Sequence, residues 1–515
     1  MLQRRHSGTR RQESTTVNFA RLLWDTASAV PDRIALRSSD GVVTFARLAA
    51  RAAAVRDLVV ERNITSGDRV GILLPHGADA AAAFYGAAAA GSIVTMISGS
   101  YRPRQVEAVL AHAECKFLLT SRDWVSRQAR ALDCRAQLLF VEDIPAEGVG
   151  SPIDADGSRA VQITYTSGST GGPKGVVVSH DNLLAGVRTV VGYLGIGAND
   201  RIASPLPFSF VYGFNQLNCA VAAGATLDLL GPSLAVDTAR TLATNQTTVL
   251  AGVPPFFMQL LRAPEFTRRL EALRAVTCAG GRLSPEAVRG IRMAQPHARL
   301  FLMYGLTEVF RSTFLPPEEV DAHPDSMGRA VPGSAVYVLN DEGTICSDGE
   351  VGELVHAGPT VALGYWNDPE ATARTFRRNP TPDASVPSLS RAVFSGDLVR
   401  RDAEGRLYYV GRRDRMIKTL GFRVSPDEVA DVLYASKQVS EAAVTSEPDE
   451  QRGERIVAHV VLSPDGSLEQ LRRWCGVELP RHMQPARWDL RDVLPRNASG
   501  KHDLLALSAA QTVSG

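Results

Sequence analysis

The chain has 515 residues, of which 44% are hydrophobic and 22% charged, and its formal net charge is +1. This length exceeds that of one typical domain, so we expect two or three domains with large cores. These ordinary fractions indicate a globular protein, and a net charge close to zero indicates neither a nucleic-acid partner nor an anionic membrane surface.

The N-terminal residues and the cysteines indicate where in the cell the protein is expected. Residues 1–16 are polar and arginine-rich without a following apolar core, so we expect a disordered tail and no signal peptide. The uncharged segment 80–101 is rich in alanine and glycine, which predicts a buried helix followed by a strand and no membrane span. The six cysteines are scattered without Cys-x-x-Cys spacing, which predicts reduced core thiols in a cytoplasmic protein.

Helical and strand patterns alternate through the first part of the chain. Predicted strands lie at 68–74, 226–230, 248–252, 275–279 and 300–302, and predicted helices lie at 79–90 and 105–112. This alternation is typical of α/β layers with mostly parallel sheets. Short strands separated by turn glycines at 349–365 predict a β-rich subdomain, and the Pro/Ser-rich segment 377–391 predicts an exposed loop.

The pattern changes after residue 411. Predicted helices at 426–435 and 468–475 flank predicted strands at 442–445 and 456–462. A small α+β domain of this kind fits the size range of one domain. We therefore expect an α/β fold with a large N-terminal domain over residues 17–412 and a small C-terminal α+β domain over residues 413–515.

The segment 165–175, Tyr-Thr-Ser-Gly-Ser-Thr-Gly-Gly-Pro-Lys-Gly, is the most informative part of the chain. Glycines let the backbone approach an oligophosphate closely, and the hydroxyls and the lysine supply donors. The apolar runs 161–164 and 176–178 predict buried strands on both sides. A kinase-type P-loop needs Gly-Lys-Ser/Thr at the start of a helix, whereas Lys174 stands between a proline and a glycine.

Lysine is rare in this chain, which favours functional roles for the few lysines present. Three of the five lysines fall in Gly-rich, motif-like segments, where a compact point charge differs from the planar arginine fork. The five are Lys116, Lys174, Lys418, Lys437 and Lys501.

Four further segments complete a recognisable set. They are Met-Tyr-Gly-Leu-Thr-Glu at 303–308, Phe-Ser-Gly-Asp at 394–397, the charged turn at 411–423, and Leu-Pro-Arg-Asn-Ala-Ser-Gly-Lys at 494–501. With the segment 165–175, this set closely resembles the adenylate-forming superfamily of acyl-CoA synthetases, peptide-synthetase adenylation domains and luciferases. The resemblance runs in order over about residues 17–508 and implies that the small C-terminal domain is mobile.

The resemblance implies how ATP and Mg²⁺ are held. Thr307 would bond the α-phosphate and Glu308 would ligate Mg²⁺. Tyr304 would stack on adenine, and Asp397 with Arg412 would bond the ribose. Further ATP-binding residues implied by the resemblance are Thr166, Ser167, Gly168, Ser169, Thr170, Gly171 and Lys174 at the phosphates, and Gly280 and Gly281 beside adenine.

The resemblance also implies two successive steps. Lys501 would bridge the substrate carboxylate and the α-phosphate during adenylation. The C-terminal domain would then rotate about a hinge at Asp414, so that Lys418 faces the adenylate and Gly421 lines a tunnel for a pantetheine thiol. Thr307, Glu308, Lys418 and Lys501 are thus the expected catalytic residues, and CoA or phosphopantetheine is the expected acceptor.

The acid pocket departs from the family's patterns. Phe210 stands where many aryl- and acyl-CoA ligases have histidine, and Val211 stands where amino-acid adenylation domains usually have aspartate. A buried ammonium without a counter-ion is costly, so Val211 argues against an α-amino acid. With Tyr212 and Gly305, these residues predict a pocket for an apolar or aromatic acid. Leu504 also replaces an arginine that often follows the catalytic lysine, which suggests altered anchoring of the Lys501 loop.

The sequence therefore predicts an ATP-dependent acid–thiol ligase that forms an acyl-adenylate and then an acyl-CoA. One alternative is a stand-alone adenylation enzyme that loads an acyl carrier protein, since both use the same thiol chemistry. A less favoured alternative is a non-catalytic nucleotide-binding protein on the same fold, against which the retained lysines and Glu308 argue.

Overall fold

The structure is a computed structural model that describes residues 17–101, 103–128, 132–167, 173–231, 234–381, 390–419, 422–449, 453–479, 481–497 and 500–509. The predicted tail at 1–16 lies outside these residues.

Two compact units make up the described chain. One is formed within Met1–Gly231 and Ala362–Pro369, and the other within Pro232–Val361 and Glu370–Gly515. The helices of the described residues are α1 (Arg21–Ala29), α2 (Phe45–Glu61), α3 (Ala78–Ala89), α4 (Pro103–His112), α5 (Arg122–Ser126), α6 (His180–Leu194), α7 (Val211–Ala223), α8 (Ala235–Thr244), α9 (Pro254–Leu260), α10 (Pro285–Ala294), α11 (Pro369–Thr375), α12 (Pro426–Ala435), α13 (Leu468–Glu478) and α14 (Leu504–Ala509).

Short strands are distributed along the same residues. They are β1 (Ile34–Ser38), β2 (Gly41–Thr44), β3 (Arg69–Leu73), β4 (Ile93–Met96), β5 (Phe117–Thr120), β6 (Gln137–Phe140), β7 (Ala160–Ser167), β8 (Pro173–Ser179), β9 (Arg201–Ser204), β10 (Thr226–Leu229), β11 (Val249–Gly252), β12 (Ala275–Cys278), β13 (Arg299–Tyr304), β14 (Thr313–Leu315), β15 (Ser326–Ala330), β16 (Ala335–Leu339), β17 (Val351–Ala357), β18 (Gly364–Tyr365), β19 (Phe376–Arg378), β20 (Arg391–Arg401), β21 (Leu407–Arg412), β22 (Ile417–Thr419), β23 (Phe422–Val424), β24 (Val439–Asp449), β25 (Gly453–Leu462) and β26 (Arg487–Leu490).

The first unit contains a sheet with the strand order β18-β8-β7-β4-β3-β5-β6. The strands from β7 to β6 are parallel, while β8 is antiparallel to both β7 and β18. Strands β9, β10 and β1 form a second parallel set, to which β2 adds an antiparallel edge. Parallel strands buried between helices read as continuous apolar runs, as the sequence suggested.

The second unit joins a parallel set to an antiparallel one. Strands β11, β12 and β13 are parallel, and from β13 onward the order β13-β14-β15-β21-β20-β17-β16 is antiparallel throughout. A third sheet, β23-β22-β25-β24 with β26 beside β25, packs against α12 and α13. The predicted α/β class, the β-rich segment and the C-terminal α+β pattern are confirmed.

The segment 80–101 forms the predicted buried helix and strand. Residues Ala80–Ala89 of α3 are all buried, and β4 follows after Gly91. A helix that is apolar on every face needs protein on every side, and α2 covers one of them. Among the described residues, no helix is both long enough and apolar enough to span a membrane.

The contact between α2 and α3 depends on Gly86. A Cβ built there lies 2.4 Å from the carbonyl oxygen of Ala52 and 2.6 Å from the Cβ of Val55. Backbone atoms cannot move aside cheaply, so we expect Gly86→Ala to destabilise the fold by about 1–3 kcal/mol, which thermal denaturation will show as a lower Tm.

Gly192 of α6 is the matched control, because no atom lies within 4 Å of a Cβ built there. Gly192→Ala should leave Tm unchanged or raise it slightly, since alanine restricts the unfolded chain. A Gly86→Ala protein as stable as the parent would contradict the packing described for α2 and α3.

Candidate active site

The predicted phosphate loop begins and ends on a β-hairpin. Strands β7 and β8 are antiparallel, and Thr166 lies opposite Lys174 in their register. Ser167 ends β7 opposite Pro173, so the two predicted strands that flank the phosphate loop are present. Gly168, Ser169, Thr170 and Gly171 lie outside the described residues.

Lys174 contacts an aromatic ring that sequence reasoning missed. Its Nζ lies 3.7 Å from the ring centroid of Tyr365, within the range of a cation–π interaction. Tyr365 belongs to β18, which pairs with β8 through Gly364 opposite Val177. No local pattern could link these two side chains, because the pairing of β18 with β8 brings them together.

The start of α7 carries the predicted acid-pocket residues. Phe210 precedes the helix, Val211 is its first residue, and both are half-buried, while Tyr212 is buried. The first turn of α7 contains no acidic residue. The aromatic residues of segment 208–214 are Phe208, Phe210, Tyr212 and Phe214. Phe208, 3% exposed, and Phe214 are core residues, so only part of this set is available to a substrate.

Glycines follow two adjacent parallel strands of the second unit. Gly280, with φ +81°, and Gly281 come just after β12. Gly305 comes just after β13, and a Cβ there would lie 2.9 Å from the carbonyl oxygen of Phe310. The backbone at Gly305 therefore lies close to the backbone of Phe310, and a larger residue at 305 would displace the turn that follows.

Thr307 and Glu308 lie in that turn. The N–H of Val309 donates to the carbonyl oxygen of Leu306 at 3.1 Å, which closes the turn. The side chains of Thr307 and Glu308 are both half-buried. A hydroxyl and a carboxylate are therefore presented together at the carboxyl end of β13, where ligands of parallel sheets commonly bind.

Asp397 joins two other predicted site residues. It is 6% exposed and lies opposite Arg412 in the register of β20 and β21. Arg412 Nη1 donates to Asp397 Oδ1 at 3.1 Å, and the Tyr304 hydroxyl donates to Asp397 Oδ2. Burial first, and then the negative charge of Asp397, raises the pKa of Tyr304, so this phenol stays protonated and remains a donor.

Lys501 lies in a tight turn of the same unit. Its N–H donates to Asn497 Oδ1 at 3.1 Å, and its carbonyl oxygen accepts from the N–H of Asn497 at 2.8 Å. Gly500 has φ +78°, which favours glycine at this position.

The electrostatic surroundings of Lys501 connect it to the buried aspartate. Although this side chain keeps exposed surface, desolvation by the surrounding protein lowers its pKa, as do Arg415 and Arg412. Asp397 and Asp427 act in the opposite direction. Asp397 and Arg412, the two residues predicted to bind ribose, thus both affect the pKa of Lys501.

The residues predicted for the second step fall in and after η1 (Arg413–Arg415), a 3₁₀ turn. Asp414 lies in η1, and Lys418 lies in β22 opposite Arg423 of β23. Gly421 lies outside the described residues.

Two acids of α12 were missed by sequence reasoning, because an acidic residue on a helix gives no signal of its own. Asp427 accepts from the Tyr409 hydroxyl at 3.3 Å, and Asp431 pairs with Arg282. Burial raises the pKa of both carboxyls, partly offset by Arg415 at Asp427 and by Arg282 at Asp431. These contacts link α12 to β21 and to the segment before α10.

A magnesium site can be tested against the donors present. Within the described ranges, no cluster of three or more His, Cys, Asp or Glu side chains is arranged to hold a metal. Mg²⁺ usually takes one or two carboxylates together with substrate phosphates. The single half-buried carboxylate of Glu308 fits that mode of binding.

Comparison with known families decides the classification. The family described as AMP-binding enzyme matches residues 23–366, and its C-terminal domain matches residues 428–501. The chain belongs to the AMP-binding enzymes. Its large and small domains and its fold match those of adenylate-forming enzymes, which confirms the superfamily predicted from the motifs.

Solved structures similar to this AMP-binding enzyme include CoA synthetases. O-succinylbenzoate CoA synthetase MenE from Bacillus subtilis, in complex with the acyl-adenylate OSB-AMP, is 26% identical with a TM-score of 0.83, over 93% of this chain and 96% of that one. ATP-bound MatB from Rhodopseudomonas palustris is 26% identical with a TM-score of 0.84, over 95% and 98% of the two chains. MenE has also been solved with ATP and a magnesium ion.

Curated relatives of the enzyme are much longer proteins. A probable non-canonical nonribosomal peptide synthetase, CymA of Salinispora arenicola, is 31% identical over 95% of this chain, which spans 6% of CymA. Phenyloxazoline synthase MbtB of a Mycobacterium species is 30% identical over 95% of this chain, which spans 42% of MbtB. The chain thus spans less than half the length of these relatives.

The Asp397 contacts generate a test of nucleotide binding. Asp397→Asn removes the charge that pairs with Arg412, and hydrogen bonds to charged groups contribute about 1.5–3 kcal/mol. We expect AMP to bind about ten- to a hundredfold more weakly, as measured by isothermal titration calorimetry. Asp402→Asn is the matched control, because Asp402 pairs with Arg406 at the other end of the same strand pair. Equal losses in both variants would contradict a specific role for Asp397.

Proposed function

We propose that the enzyme is an ATP- and Mg²⁺-dependent acid–thiol ligase. It activates an apolar or aromatic carboxylic acid as an acyl-adenylate and transfers the acyl group to CoA. The observation that carries the proposal is the buried Asp397, which pairs with Arg412 and accepts from the Tyr304 hydroxyl. Lys501, whose pKa is affected by both Asp397 and Arg412, would meet the negative charge that develops as a carboxylate attacks the α-phosphate.

In the first step, a carboxylate oxygen attacks the α-phosphorus of ATP and pyrophosphate leaves. Residues 166–171 and Lys174 hold the β- and γ-phosphates, Thr307 bonds the α-phosphate, and Lys501 stabilises the developing negative charge. Glu308 holds Mg²⁺, which supplies positive charge at the phosphates. Charge stabilisation of this kind lowers barriers by several kcal/mol in enzymes.

The nucleoside is held by groups that the second unit presents. Tyr304 stacks on adenine, for which Gly280 and Gly281 leave room. Asp397 and Arg412 bond the ribose hydroxyls while they remain paired with each other. Buried donors and acceptors that are already oriented need little rearrangement when the ligand binds.

The acid is selected at Phe210, Val211, Tyr212 and Gly305. An α-ammonium at Val211 would lose its hydration without gaining a counter-ion, at a cost of several kcal/mol. The proposed substrate is therefore an acid without an α-amino group.

In the second step, the thiol sulfur attacks the acyl carbon, the bond from that carbon to the adenylate oxygen breaks, and AMP leaves. Residues 413–515 rotate about Asp414 relative to residues 17–412, so that Lys418 replaces Lys501 and Gly421 lines the thiol's path. Gating of this kind assembles one catalytic set at a time. The likeness to the MenE CoA synthetase supports CoA as acceptor. The thiol form of all six cysteines supports a cytoplasmic location.

A second candidate acceptor is the phosphopantetheine arm of an acyl carrier protein. The curated relative CymA is a probable nonribosomal peptide synthetase, of which this chain spans 6%. This observation favours a protein-bound thiol, and the same tunnel residues would serve it.

The proposal predicts a specific pattern of pyrophosphate release. With ATP and Mg²⁺, we expect release with octanoate, benzoate or cinnamate and none above background with L-phenylalanine or L-ornithine. Added CoA should give the acyl-CoA, detected by mass spectrometry. Release that stops at acyl-AMP despite CoA would favour a carrier protein. Activity confined to amino acids would refute the substrate assignment, and ATP binding without any release would indicate a non-catalytic protein.

A further inference from the structure

One carboxylate holds both sides of the turn that carries Lys501. Glu441 of β24 lies with Oε1 3.1 Å from Arg496 Nη2 and with Oε2 3.3 Å from His502 Nε2. Arg496 precedes the turn and His502 follows Lys501 directly. Glu441 therefore bridges the two ends of the turn rather than one of them.

Arg496 extends this bridge into the turn itself. Its Nη1 donates to the carbonyl oxygen of Gly500 at 3.0 Å, one residue before Lys501. Arg496 and His502 also pair as an isolated antiparallel β-bridge. The carboxylate is thus connected to the backbone on both sides of the lysine, and the lysine is fixed relative to β24.

Leu504 fits this arrangement. The family often has an arginine there, whereas Leu504 packs beside the cluster of Ala443, Leu494 and Leu507. Leu494 lies before the turn and Leu507 lies after it, while Ala443 lies two residues after Glu441 on β24. An apolar contact and the Glu441 bridge therefore anchor the same loop to the same strand.

We propose that Glu441 is a positioning residue for Lys501, which sets the geometry of the lysine during adenylation. This inference rests on the role proposed for Lys501. The side chains of Glu441, Arg496 and His502 are 26%, 38% and 20% exposed. Partly exposed ion pairs contribute little to global stability, but a small displacement of a catalytic group can cost about a hundredfold in rate.

The test measures the two half-reactions separately in the full chain carrying Glu441→Gln. Adenylation is followed by ATP–pyrophosphate exchange with octanoate or benzoate, whichever the parent enzyme activates faster. Thioester formation is followed from the matching synthetic acyl-adenylate and CoA. We expect the kcat of exchange to fall about ten- to a hundredfold, with KM for ATP within about twofold. Thioester formation should be unchanged, because Lys501 takes no part in it, and Tm should move by no more than about 2 °C.

Glu447→Gln is the matched control. Glu447 lies on the same strand and also bridges two basic residues, but these are Arg455 and Arg487, away from the turn of Lys501. It should leave both half-reactions unchanged. Exchange at the parent rate in Glu441→Gln, an equal loss in Glu447→Gln, or an equal loss in both half-reactions would overturn the proposal.

Two further measurements separate this inference from the proposed function. Lys501→Ala should abolish exchange while keeping thioester formation, and exchange at the parent rate would refute the role of Lys501 itself. Limited trypsin digestion tests the anchoring without any activity, since trypsin cleaves after Lys501. We expect faster cleavage there in Glu441→Gln than in Glu447→Gln. Equal cleavage rates would show that Glu441 does not hold the turn.

Discussion

Asp397 places a buried carboxylate between the hydroxyl of Tyr304 and the guanidinium of Arg412. A buried charge is costly unless it is paired, so the strands β13, β20 and β21 must present these three residues together. The same carboxylate counteracts the arginines around Lys501. One paired charge therefore joins β13, β20 and β21, and it partly offsets the lowering of the pKa of the lysine that we assign to adenylation by burial and by Arg415.

How much the sequence could predict depended on whether the signal was local. The helix at 426–435 has the predicted bounds, and the segment 80–101 forms the predicted buried helix and strand, because periodicity and apolar composition are local properties. Lys174 could be singled out from the sequence as an unusual lysine, but its contact with Tyr365 depends on the pairing of β18 with β8. The departure at Leu504 was visible in the sequence, whereas Glu441, 61 residues before His502, could be linked to the turn only through the fold.

The comparisons with known proteins establish the adenylate-forming family. They do not determine which acid is activated or which thiol accepts the acyl group. The MenE structure, at 26% identity, is that of a CoA synthetase, while the curated relative CymA is a probable nonribosomal peptide synthetase. The start of α7, where we propose that the acid binds, gives the clearest physical constraint on the substrate. Val211 and the rest of the first turn of α7 offer no negative charge to an ammonium group. A relative can therefore share the fold without determining the substrate.

The central claim is that a carboxylate oxygen attacks the α-phosphorus of ATP. The most direct measurement supplies the activated acid with ¹⁸O in both carboxylate oxygens, together with ATP, Mg²⁺ and CoA, and analyses the products by mass spectrometry. We expect one ¹⁸O atom in AMP, because the oxygen that attacks phosphorus stays with AMP when the thiol displaces it. Unlabelled AMP, or ¹⁸O in inorganic phosphate with ADP as product, would contradict an acyl-adenylate and with it the assigned role of Lys501.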